Sequence, residues 1–451
     1  MKELENCKSL VSRDEKVMSP ASRISYFPLV VSRADGSKIW DLDGNEYIDF
    51  LSGAAVTNIG HRHPQVVEAV REQLEKFIHN TLAYTYYQIA VELAEKLVEI
   101  TPGRFPKRVA FGLSGSDAND GAIKLARSAR KRPKIISFLG SYHGSTLGAL
   151  SLSGISLSMR RSLGPLVPEI HHVPYPDCYR CYVGLEFPEC DLGCVEFLRT
   201  TFKTIVPPDE VAALILEPIQ GDAGVVIPPN TFWKSLRGLC DEYGILLVDE
   251  EVQTGLGRTG KMFAIEHWGV EPDIVLTAKA IASGLPLSAI VSKAELMENW
   301  PPPAHLFTTQ ASPLSCAAAL ATIDVLMRDR LPVRADRLGV ITLKRFEEMM
   351  EEHRLIGDVR GKGLLIGVDL VSDSKSKAPA RKEALKTCWR AYEKGLVMIS
   401  FGRFGNVLRI APSLTISEEE LETGLGIIEE SIGDVEKGRV PDDAIRHMKG
   451  W

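Results

Sequence analysis

Between residues 108 and 279 short apolar runs alternate with amphipathic helical stretches, and that alternation restricts the folds open to the chain. Arg108–Gly112 precedes a helical pattern from about Asp117 to Arg130, and Lys134–Phe138 follows as the next apolar run. Ala212–Glu217 leads to a helical pattern near Thr231–Tyr243, then to Ile245–Glu250 and Asp273–Thr277. Runs this short and this apolar read as strands buried on both faces. Strand-then-helix order predicts an α/β fold with a mostly parallel sheet sandwiched by helices. Ligands in such sheets bind beyond the carboxyl ends of the strands. Glu217, Glu250 and Lys279 all fall there.

The ends of the chain have a different character. Lys38–Tyr47 reads as two short strands around an Asp-Gly-Asn turn. From Pro332 onward come a charged helix, a strand over Lys362–Leu370, a helix near Lys382–Lys394 and a strand at Val407–Ile410. The expected division is therefore a small α+β domain from both termini, residues 1–70 and 331–451, around a large domain at 71–330. No internal repeat or low-complexity tract interrupts this order.

At 451 residues and 45% hydrophobic content the chain can bury a large core. A formal net charge of -6 gives no basic stripe, so nucleic acid is not an expected partner. No apolar run reaches membrane-spanning length, and the first residues lack a signal-peptide core, so no membrane association and a cytoplasmic location are expected. Eight cysteines do not make a disulfide scaffold in so long a chain. Four of them cluster as Cys178-x2-Cys181-x8-Cys190-x3-Cys194, a spacing that could hold zinc. The alternative is a loop insertion whose thiols stay reduced or pair locally, and the cluster has no part in the chemistry described next.

Glu250 and Lys279 stand 29 positions apart, each at the end of a buried run. An acid that pairs with a pyridinium nitrogen and an amine that forms a Schiff base are what pyridoxal phosphate chemistry needs. Leu113–Asn119 adds a strand-to-helix turn in which Gly115 and Ser116 could cradle a phosphate, although Ser114 before an acidic first turn also suits an ordinary helix cap. Tyr142 follows the Phe138 strand and could stack on a ring or simply pack. Gly255–Gly260 fits the expression G-x-G-x-x-G but lacks the preceding strand and following acid of a dinucleotide site. Arg409, inside an apolar strand, either pairs with an internal acid such as Asp222 or receives a substrate carboxylate.

From about Phe27 onward the chain resembles the class III aminotransferases, a fold type I group of pyridoxal-phosphate enzymes. The resemblance rests on Gly60–Pro64, Ser114–Asn119, Tyr142–Gly144, Glu217–Gly221, Glu251–Gly255, Gly257–Gly260, Ala278–Lys279 and Val407–Arg409, in order and at family spacing. It implies Lys279 as the Schiff-base lysine, Gly115 and Ser116 as phosphate contacts, and Tyr142 as the stacking aromatic. Gln253 would meet the cofactor's phenolic oxygen, and Glu217 would shape the entrance. Thr308 would reach the phosphate of a neighbouring subunit, implying a homodimer or higher homo-oligomer with shared sites.

Glu250 occupies the position where the family carries aspartate, and Asp222 the position of a common glutamate. The family chemistry implies amino-acid and 2-oxo-acid substrates, with Arg409 on a carboxylate. Transamination is the leading expectation. The alternative is an amino-acid racemase or 2-epimerase using Lys279 and an opposite-face acid such as Asp222. The wording of Ser114–Gly121, Gly144–Gly148 and Ala304–Thr309 is similar to racemases and isoleucine 2-epimerases of the family.

Overall fold

A computed structural model describes residues 4–448 and residue 450. The chain divides into two compact units, Pro64–Pro332 and the pair of segments Met1–His63 and Val333–Trp451. A boundary at residue 70 would cut the helix Pro64–Lys76, which begins at a proline whose missing N–H costs a first turn nothing. That helix lies whole within the Pro64–Pro332 unit.

The larger unit carries a seven-stranded sheet. Its strands are β1 (Lys107–Gly112), β2 (Lys134–Phe138), β3 (Ile170–Val173), β4 (Val211–Leu216), β5 (Leu246–Glu250), β6 (Ile274–Thr277) and β7 (Ser288–Lys293). They lie in the order β1-β7-β6-β5-β4-β2-β3. β7 runs antiparallel to both neighbours, and every other pairing is parallel. β4, β5 and β6 are buried at every position, as central strands covered on both faces must be. The expected α/β fold with a mostly parallel sheet is the one found.

Helix α1 (Gly115–Arg130) packs on this sheet through Ala118, Ala122, Ile123, Leu125 and Ala126, and the three alanines among them let the helix approach closely. Helix α2 (Phe232–Tyr243) connects β4 to β5, and Gly244 ends it with a left-handed φ of 65°. The register sets Leu216 against Asp249 and Glu250 against Leu276. The carboxyl ends of β4, β5 and β6 therefore finish along one edge.

The other unit is α+β. Val31–Asp35, Lys38–Asp41 and Glu46–Asp49 form antiparallel pairs, and Leu396–Val397 adds to the last in parallel. The expected turn after Asp41 is present, with Asp41 Oδ1 accepting the amides of Asp43 and Asn45 at 3.0 and 2.8 Å. A second sheet joins Ile356–Lys362, Leu365–Asp373, Val407–Ile410 and Ser400–Phe401, all antiparallel. The strand expected over Lys362–Leu370 is found as Leu365–Asp373, and Lys362 instead ends the preceding strand, from which the chain reverses at Gly363, where φ is 54°. Among the described residues no helix is long and apolar enough to cross a membrane.

Candidate active site

Five loops leaving the carboxyl edge of the sheet enclose a cavity of about 150 Å³. After β1 the chain turns at Ser114 into α1. Ser114 Oγ accepts the Asp117 amide at 3.3 Å while Asp117 Oδ2 accepts the amides of Leu113 and Ser114, both at 2.8 Å. This capping box fixes the helix start and leaves the first-turn amides of Gly115 and Ser116 at the cavity wall, where an anion is favoured. Gly115 has to be glycine. A Cβ there would lie 2.8 Å from Val252 Cγ1, another wall residue.

After β2, Tyr142 and His143 reach the cavity. Asn119 of α1 donates to the His143 carbonyl at 3.1 Å and holds this loop to the helix. After β4, Glu217 accepts the amides of Tyr142 at 3.1 Å and Gly221 at 3.0 Å, one on each oxygen. It thereby ties two loops together. Burial, then the neighbouring charges of Glu250 and Asp222, push the Glu217 carboxyl well above the usual range. Burial likewise raises the Tyr142 phenol, with Asp222 and Glu250 adding to the rise.

Glu250, the last residue of β5, is buried. Its Oε1 accepts the Val252 amide at 3.1 Å, and its Oε2 stands 3.3 Å from His143 Nδ1. Neither His143 ring nitrogen closes a hydrogen bond with acceptable angles, so the imidazole faces the carboxylate without being aligned on it. Lys279 begins the turn after β6 with φ at 44°, a conformation a non-glycine residue holds only when its surroundings impose it.

The structure thus gathers Gly115, Ser116, Tyr142, Glu217, Asp222, Glu250, Gln253 and Lys279 around one cavity. Thr308 is exposed and lies outside that lining. Arg409 belongs to the other unit, where its buried guanidinium stacks 3.4 Å from the Phe401 ring. His143, Gly144 and Val252 complete the wall and were not singled out by sequence reasoning. His143 was legible only as the residue after Tyr142.

These residues fit pyridoxal phosphate. A helix N-terminus with an obligatory glycine suits the phosphate, a buried carboxylate suits the ring nitrogen, and a lysine at a strand end suits the aldehyde.

Residues 19–432 match the family aminotransferase class III. The chain is 51% identical over 442 residues to a leucine/methionine racemase of Thermococcus litoralis, covering 98% of this chain and 99% of that one. It is 42% identical over 452 residues to an isoleucine 2-epimerase of Lentilactobacillus buchneri, covering all of both. Among solved structures it is similar to an (S)-enantioselective omega-transaminase from Thermomicrobium roseum, with TM-score 0.88 and 33% identity over 95% of this chain and 98% of that one. From the sheet, the cavity and these likenesses together, the chain belongs to the class III aminotransferase family of pyridoxal-phosphate enzymes.

Proposed function

We propose that this enzyme is an amino-acid racemase or 2-epimerase that inverts Cα with Lys279 and Asp222. One observation carries the proposal: the lysine and the loop acid, from different strand ends, line the same cavity. The racemase and epimerase relatives, at 51% and 42% identity, support it against the transaminase neighbour at 33%.

Pyridoxal phosphate, when bound, supplies the electron sink that makes a Cα proton removable. The Gly115 and Ser116 amides would hold its phosphate, the Tyr142 ring would cover one face, and Gln253 would meet its phenolic oxygen. Glu250 would hold the proton on the ring nitrogen. Lys279 would anchor the cofactor, and its amine would move the Cα proton on its own side. Asp222 gives or takes the proton on the other side. Burial, then the charges of Glu250 and Asp222, raise the Glu217 carboxyl, which holds the Tyr142 and Gly221 amides in place. Thr308 serves the phosphate of a neighbouring subunit, so the working enzyme is a homodimer or a larger homo-oligomer.

The test is incubation of one amino-acid enantiomer in deuterium oxide with no 2-oxo acid present. A racemase incorporates deuterium at Cα and loses optical rotation without forming a 2-oxo acid. Asp222→Asn should slow racemisation about 10²–10⁴-fold, the usual worth of a positioned acid or base, and leave the cofactor's visible absorption unchanged. Racemisation at the wild-type rate in Asp222→Asn would remove this residue from the mechanism. A transaminase is the second possibility, favoured by the family match and the omega-transaminase neighbour. It would convert the amino acid to its 2-oxo acid once per site and then wait for an acceptor.

A further inference from the structure

The four clustered cysteines play no part in the chemistry above, yet the fold brings them together. Cys178, Cys181, Cys190 and Cys194 line one small void of about 20 Å³ in the Pro64–Pro332 unit. That is room for one ion or one water. They sit on a stretch, residues 174–192, that carries neither helix nor strand between β3 and the helix Gly193–Thr204. A connection of that length without secondary structure is uncommon in a compact unit unless something holds it.

This loop is held at its start. The buried Tyr175 donates to the carbonyl oxygens of Glu217 and Pro218, at 3.1 Å to each. Farther along, turns bracket the thiols: Gly184 donates to the Cys181 carbonyl at 3.2 Å, and Cys190 to the Glu186 carbonyl at 2.7 Å. The four cysteines line the void beyond this anchor.

We propose that these four thiols hold one divalent cation of the zinc class, which staples the loop in the folded enzyme. The cation is thiophilic because the void offers sulfur from four residues and no imidazole. The sulfurs ring the void more loosely than a bound ion requires. Among the described residues the group whose ligand atoms all lie within 4.8 Å of one another is Cys7, Asp41 and Asp43. In that group both carboxylates are already engaged by backbone donors, so it offers an ion little. Drawing four sulfurs to about 2.3 Å from a cation asks for side-chain rotation in a loop that no ladder of hydrogen bonds constrains.

Metal analysis of the dialysed, cofactor-loaded enzyme tests this directly. We expect one equivalent of zinc per chain, released when an organomercurial titrates the thiols. Cys7, Cys240, Cys316 and Cys388 are buried, so native thiol counting with a disulfide reagent reports the loop cysteines. Those should be silent until the metal is displaced, and then four should react. Cys190→Ser and Cys181→Ser should each lose the metal while keeping the visible absorption of bound cofactor. Enzyme that takes up no zinc even after reconstitution with zinc sulfate under reductant overturns the proposal. Prompt reaction of all four thiols would then identify free cysteines, and reaction only after reduction would identify disulfides.

Discussion

At Glu250 a carboxylate closes a fully buried strand and faces an imidazole at 3.3 Å. Burying a charge this deeply is costly unless something in the site shares it. The extra methylene relative to aspartate is absorbed locally, since Oε1 folds back onto the Val252 amide while Oε2 stays beside His143. Glu250→Gln keeps the shape and removes the charge. Deuterium exchange at Cα should fall by about 10²-fold or more, with weaker cofactor retention on gel filtration. Lys279→Ala should abolish the visible absorption of the bound cofactor and lower turnover by at least about 10³-fold. Glu250 and Lys279 were readable in the sequence because each ends an apolar run, where a charged residue is conspicuous. His143 was not, because its contact with Glu250 joins segments more than a hundred positions apart and nothing local marks it.

The loops of the site are locked to one another by close glycine contacts as well as by the Glu217 and Asn119 hydrogen bonds. A side chain at Gly221 would collide with Gln253 Oε1, and one at Gly115 would press on Val252. Gly221→Ala should therefore displace the turn bearing Gln253 and the loop bearing Asp222 together. We expect weaker cofactor binding and slower proton exchange in the same variant, measured by absorbance titration and by mass spectrometry of deuterated substrate. If only one of the two changed, the loops would not be coupled. Most strands of this sheet were legible from their apolar runs. β7 was not anticipated, although its direction is forced: residues 278–287 between β6 and β7 are too few for the crossover a parallel strand needs. The strand Ile356–Lys362 before the turn at Gly363 was not anticipated either, because Asp358, Arg360 and Lys362 leave it without an apolar run.

Over the whole molecule, stability should depend on pH through a pair of acids behind the site. Asp249 is wholly buried beside Glu251. Burial, then the charge of Glu251, hold its carboxyl well above the usual range. Burial also raises Glu251 to about 7, against the pull of its contacts with Thr254 and the Ile265 amide. Both folded values exceed the unfolded ones, so the stability these groups contribute is complete below about pH 4; Glu251's share is lost as pH rises through about 7, and Asp249's as pH rises through its own raised value. Thermal melts of the wild type should drop between pH 5 and 8 more than those of Glu251→Gln, and parallel curves would refute the assignment. A homodimer should appear by sedimentation, with Thr308→Ala weakening cofactor retention but not assembly. One further consequence follows from the small parallel pairing of Glu46–Asp49 with Leu396–Val397. A ribosome releases the early hairpin long before its last partner strand exists, while every strand of the seven-stranded sheet has left the tunnel by then. During synthesis the large unit can close first, and the amino-terminal segment must wait, unpaired on one edge, for the tail of the same chain.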